Sequence, residues 1–150
     1  MSEESLRGSD AISVQELADM RSTGGEHLVL DVREARELDI CQLEGVLHIP
    51  MAEIPARVND LPTNQPMVVL CHHGARSQMV VDFLRDAGFD NAVNLDGGIE
   101  AWACEIDRRL RHIAVRRARR ASAPRRRVFS RLRYLASAPR EDATPLRRFG

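Results

Sequence analysis

Four short aliphatic runs constrain what this 150-residue chain can fold into. HLVLD (27–31), GVLHIP (45–50), MVVLC (67–71) and NAVNL (91–95) carry apolar residues at adjacent positions. A strand with one wet face alternates with period two, so continuous runs predict strands covered on both faces, as in a parallel sheet. Segments with helical spacing fall around them. ISVQELADMRSTGG (12–25) predicts a short helix, with Ser13 and Glu16 at capping-box spacing, Val14, Leu17 and Met20 on one face, and Gly24 and Gly25 ending it. AREL (35–38) fits one helical turn, and AEIPARVNDLP (52–62) a short helix with Pro55 in its first turn. SQMVVDFLRDAG (77–88) is the clearest helix: Ser77 is placed as its cap, Val80, Phe83, Leu84 and Ala87 as its apolar stripe, and Gly88 as its end. GGIEAWACEI (97–106) predicts a last helix after a tight turn at Gly97 and Gly98, close to the loop that follows MVVLC. Four strands alternating with helices predict an α/β fold, a central parallel sheet flanked by helices on both faces.

The domain implied is residues 11–107, after a polar lead of residues 1–10. With 43% hydrophobic but only 4% aromatic residues, its core must be largely aliphatic. The opening MSEESLRGSD holds acids and no apolar stretch, and no run approaches the roughly 20 residues of a membrane span. A cytoplasmic protein without a membrane partner is expected. Cys41, Cys71 and Cys104 form an odd set without regular spacing, which favours one reactive thiol over a disulfide framework. The formal charge of zero hides a division: residues 1–107 carry 20 acids against 7 arginines, residues 108–150 carry 2 against 15, and lysine is absent.

Ligands in parallel α/β sheets bind beyond the carboxyl ends of the strands. Asp31 with Arg33, His48, and Cys71 with its loop all fall at such ends. The loop after Cys71 runs CHHGARS, and a strand-to-helix loop gathers backbone N–H groups around one point. A thiol there is favoured as thiolate. Gly74 lets the backbone curl, and Arg76 adds a permanent cation facing either the anion or a carboxylate that braces the loop. The result is a nucleophilic cysteine in an anion cradle. The bland alternative is a small apolar side chain ending a strand. No metal site is expected from Cys71, His72 and His73, because adjacent residues seldom converge on one ion and no CxxC pair accompanies them. His48 reads as a hydrogen-bonded core histidine, Trp102 as core, and Cys41 and Cys104 as bystanders. Arg33 is open to two readings, a local ion pair or contact with a substrate anion.

DVRE (31–34), GVLHIP (45–50), CHHGARS (71–77), GF (88–89) and NLDGGIEAWA (94–103), in this order and spacing, resemble the successive signatures of a single-domain rhodanese. The resemblance covers about residues 12–107. It implies the rhodanese-like fold and a thiosulfate sulfurtransferase-like activity without a cofactor. Cys71 would accept a sulfane sulfur from thiosulfate or a persulfide donor and pass it to a thiophilic acceptor such as cyanide or a thiol. His72, His73, Gly74, Ala75, Arg76 and Ser77 would form the loop that binds the persulfide. Asp31 and Arg33 would support it, with Asp31 a plausible partner for Arg76. Related phosphatases and arsenate reductases of this fold have five residues between cysteine and arginine, enough to wrap a tetrahedral oxyanion. Here four intervene, His72 to Ala75, a ring better suited to sulfur. A non-catalytic rhodanese-like module serving as a binding or regulatory partner is the alternative, and such modules often lack the cysteine.

The resemblance ends near Asp107. Three readings are open for residues 108–150: a disordered basic arm for nucleic acid or an acidic partner, an amphipathic membrane-surface helix, or a shifted reading frame in GC-rich DNA.

Overall fold

The computed structural model describes residues 9–111. Five parallel strands form one sheet in the order β1-β5-β4-β2-β3. They are β1 (Ala11–Ile12), β2 (Leu28–Asp31), β3 (Leu47–His48), β4 (Met67–Leu70) and β5 (Ala92–Leu95). The helices are α1 (Val14–Thr23), α2 (Ala35–Leu38), α3 (Ile54–Arg57), α4 (Ala75–Asp86) and α5 (Gly98–Glu105), and one-turn 3-10 segments flank α3.

Continuous burial has a simple geometric cause. Side chains alternate across a strand, so each apolar run feeds two cores. Met67 and Val69 of β4 join Val80, Val81 and Leu84 of α4 on one face. Val68 and Leu70 point the other way, with Leu17 of α1 and Ile99 and Trp102 of α5. Both layers are therefore shut off from water, which leaves the strand ends as the open part of the sheet.

β1 is a fifth strand beyond the four expected. Two residues are too few to show a period, and their pairing is nonlocal: Asn94 donates its N–H to the carbonyl of Asp10, and Asp96 donates to Ile12. β3 is shorter than GVLHIP suggested, keeping only Leu47 and His48. In α1 the capping box forms, with Ser13 Oγ accepting from the Glu16 N–H and the Glu16 carboxylate accepting from the Ser13 N–H.

α4 corrects two expectations. It starts at Ala75 with Gly74 as N-cap, so Ser77 lies inside the first turn and does not cap it. Its buried face is Ser77, Val80, Val81 and Leu84, whereas Phe83 is 40% exposed and Ala87 is also on the surface. Residues 108–111 form a further helical turn, with Leu110 packed against the cluster that holds Trp102. The arginine-rich stretch from 112 to 150, and its three readings, lie outside the described residues, as do residues 1–8. No described helix is long and apolar enough to cross a membrane.

Candidate active site

The strand register sets the site. Asp31 pairs with both Leu70 and His48, so the carboxyl ends of β2, β3 and β4 lie in one row. Cys71 is the next residue of the central strand. Its side chain is only 1% exposed and shares the core face of Val69. The chain then turns through His72 and His73 to Gly74, whose φ of +105° strongly favours glycine. That turn aims the first amides of α4 back at the sulfur. The Gly74 N–H reaches Cys71 Sγ at 3.1 Å, and Ser77 Oγ lies 3.3 Å away.

Burial pushes the Cys71 thiol up, but the Ser77 hydroxyl and the amides of Ser77, Gly74 and His73 outweigh it. Its pKa lies below the ordinary cysteine value. The same chemistry separates it from Cys41, whose half-buried thiol is pushed up by burial despite the opposing charge of Arg33. Ser77 also sits 3.1 Å from the Gly74 carbonyl. A hydroxyl has one proton, so it can donate either to that carbonyl or to the sulfur. An anionic sulfur draws the proton to itself.

Arg76 takes the second of the two roles foreseen for it, but not with the partner expected. Its guanidinium makes a two-pronged bond to Glu37, at 2.8 and 2.7 Å, rather than to Asp31. Glu37 also accepts from the Glu34 N–H at 3.0 Å, so α2 and the start of α4 are tied together beside the loop. Hydrogen bonding to Arg76 holds the Glu37 carboxyl down at about 2, against the opposing effect of burial. Asp31 is occupied by Arg33: the pair is buried, with contacts of 2.7–3.1 Å, and Arg33 also donates to the Cys41 carbonyl. This local ion pair is the first of the two readings for Arg33. His48 Nε2 lies 2.7 Å from the Arg33 carbonyl, a structural contact. Trp102 is buried, and the Arg21 guanidinium lies 5.8 Å from its ring centre.

The turn before α5 completes the loop's surroundings. A Cβ at Gly98 would come within 2.5 Å of the carbonyl oxygens of Cys71 and His72. Without one, the Ile99 N–H bonds to the Cys71 carbonyl at 2.9 Å and the Glu100 N–H to that of His72 at 3.2 Å. Gly98 therefore does lie against the loop, as its sequence position suggested. A cavity of about 370 Å³ opens alongside, with walls from Glu37, Ile40, Cys41, His72, Ile99 and Glu100 among others. A larger cleft, about 570 Å³, lies around Arg21, Trp102 and Asp107 and takes no wall from residues 71–77. Ala75, His72 and His73 are exposed at the rim.

Glu37 and Glu100 were not singled out from sequence. Glu37 is 39 residues from Arg76, and nothing local marks the pairing. Asn94 was missed as well: this buried strand residue lies under Gly74.

The rhodanese-like domain profile matches residues 13–105, more than half of the chain, with the Cys71 loop inside the match. The chain belongs to the rhodanese-like domain family. Among curated proteins, this rhodanese-like chain is 32% identical over 118 residues to the Arabidopsis thaliana protein named adenylyltransferase and sulfurtransferase MOCS3, covering 68% of this chain and 25% of that one. It is 36% identical over 74 residues to a putative sulfur carrier protein of Bacillus subtilis, YrkF, covering 49% and 40%. The match thus spans less than half the length of either relative. Among solved structures, a rhodanese-related protein from Thermoplasma volcanium is 32% identical with a TM-score of 0.59, covering 64% of this chain and 92% of that one.

Proposed function

We propose that this chain is a sulfurtransferase that carries a sulfane sulfur on Cys71. The observation that carries the reading is the convergence of the Gly74 N–H and the Ser77 hydroxyl on Cys71 Sγ, which favours the thiolate. Relatives named sulfurtransferase and sulfur carrier support it.

The cycle needs no general base once the thiol is ionised. The Cys71 thiolate attacks the outer sulfur of thiosulfate or of a persulfide. A new S–S bond forms, the donor's own S–S bond breaks, and sulfite or a thiolate leaves with the electron pair. The outer sulfur of the Cys71 persulfide now carries the negative charge, and the amides of the loop stabilise it as they stabilised the thiolate. Cyanide or an acceptor thiolate then attacks that outer sulfur. Thiocyanate or the acceptor's persulfide departs, and the Cys71 thiolate returns. In this cycle Ser77 and the amides of His73 and Gly74 hold charge, and Ala75 completes the ring. Arg76 acts through Glu37 to brace the loop, while Asp31 and Arg33 support the neighbouring strand end. His72 and His73 meet the donor and acceptor at the rim. Cys71, only 1% exposed as a residue, suits slim donors over bulky ones.

Turnover with thiosulfate and cyanide, read as thiocyanate, tests the proposal, with phosphate release from an aryl phosphate in parallel. Thiocyanate formation that is lost in Cys71→Ser is expected. A folded protein with neither activity would instead be a binding module, and phosphate release alone would reassign the loop to oxyanion chemistry.

A further inference from the structure

The rim of the loop holds a cluster whose side chains make and break no bond in the sulfur cycle. His72 Nε2 lies 3.0 Å from Glu100 Oε2, and His73 Nδ1 lies 3.5 Å from the same oxygen. One ligand atom from each of the three residues falls within 4.8 Å of the others. No metal site was expected from Cys71, His72 and His73; in this cluster the third donor is Glu100 of α5, 27 positions on from His73. We propose that His72, His73 and Glu100 form a binding site for a divalent transition-metal cation of the zinc class.

Three features point this way. Two of the three spacings fit: donors about 2.0–2.1 Å from a tetrahedral ion stand about 3.3–3.4 Å apart, the two contacts with Glu100 bracket that value, and the two imidazole donors lie within 4.8 Å of each other. The donor set is right as well. Two imidazoles and one carboxylate suit zinc, copper or nickel better than calcium or magnesium, which prefer oxygen. The scaffold is also pre-built, because main-chain bonds from Ile99 to Cys71 and from Glu100 to His72 fix α5 against the loop before any ion arrives. The adjacent imidazoles stand nearly perpendicular, with ring centres 4.2 Å apart, so their nitrogens need not point in parallel. All three side chains are about half exposed or more, so an ion reaches them from solvent.

Three protein ligands leave a tetrahedral ion one open position. It would lie on residues directly following Cys71, where thiolates and persulfides, ligands that zinc favours, enter and leave. Bound zinc therefore slows sulfur transfer by holding sulfur at the rim.

The test uses the full chain with Cys71→Ser, which removes the nucleophilic thiolate as a competing ligand. Zinc affinity is measured by competition with a chromophoric chelator, and the imidazole signals of His72 and His73 are followed by NMR. The Cys71→Ser chain should bind zinc with shifts at both histidines. Adding Glu100→Gln or His73→Ala should weaken binding by roughly tenfold or more, with unchanged circular dichroism. In chains that keep Cys71, the ratio of turnover without and with zinc should fall toward one in either variant. Equal zinc affinity in all three Cys71→Ser chains, or no shift at His72 and His73, would overturn the proposal. Zinc binding is read without sulfur transfer, so failure here leaves the sulfurtransferase reading intact, and the reverse also holds.

Discussion

Gly98→Ala should damage both stability and the loop after Cys71, although the glycine lies 27 residues from Cys71 in sequence. At φ +57° an alanine pays about 1–2 kcal/mol for the left-handed backbone. Its Cβ would also sit 2.5 Å from the carbonyl oxygens of Cys71 and His72, both of them backbone atoms that cannot swing aside. Relief requires α5 to withdraw, stretching the Ile99 and Glu100 N–H bonds to those carbonyls. Two hydrogen bonds at about 0.5–1.5 kcal/mol each add about 1–3 kcal/mol. The reduced freedom of the unfolded alanine chain returns about 0.4–1 kcal/mol. The net loss is about 2–4 kcal/mol, or a urea midpoint lower by about 1–2 M at a typical slope of about 2 kcal/mol/M. Gly24→Ala is the internal control, because Gly24 has φ +71° and nothing within 4 Å of the added Cβ. It should cost only about 1 kcal/mol, the backbone contribution alone. Sulfur uptake, measured where both variants are folded, should drop in Gly98→Ala and persist in Gly24→Ala. Equal midpoints together with equal uptake would refute the claim that α5 holds the loop in shape.

Ser77→Ala removes the side-chain donor nearest the sulfur, so the rate of Cys71 alkylation by iodoacetamide should keep rising to higher pH than in the parent. Asp31→Asn leaves the Arg33 guanidinium buried without its counter-charge, and denaturation should show a loss of about 3–5 kcal/mol. Glu37→Gln tests the brace through pH. The carboxyl is held at about 2 in the fold against its ordinary 4.5, so its contribution is full above 4.5 and is lost as pH falls toward 2. Unscreened, the difference would be about 3 kcal/mol; with Arg76 36% exposed, about 1–2 kcal/mol is expected. The stability gap between parent and Glu37→Gln should therefore close between pH 5 and pH 2.

The parts of this molecule governed by local spacing were legible in the sequence. The β4 run, the cap at Ser13 and Glu16, the single turn of AREL and the glycines at 97 and 98 each advertise themselves within a few residues. The surroundings of Cys71 were legible for the same reason: a cysteine directly after an apolar strand, followed by a glycine and a helix, implies amides pointing at sulfur. What escaped depends on contacts between distant segments. Arg76 meets Glu37 rather than Asp31 because α2 packs beside the start of α4, and Asp31 is already taken by an arginine two residues away. Glu100 reaches the histidines only because Gly98 allows α5 to close on the loop. Ser77 read as a cap because serine is a good one, yet Gly74 starts the helix earlier and frees the hydroxyl to face sulfur.

Intact-protein mass spectrometry before and after incubation with thiosulfate tests the central claim most directly. The account predicts a gain of about 32 Da, one sulfur, that cyanide removes and that Cys71→Ser does not show. No gain in the folded parent, or the same gain in Cys71→Ser, would contradict it.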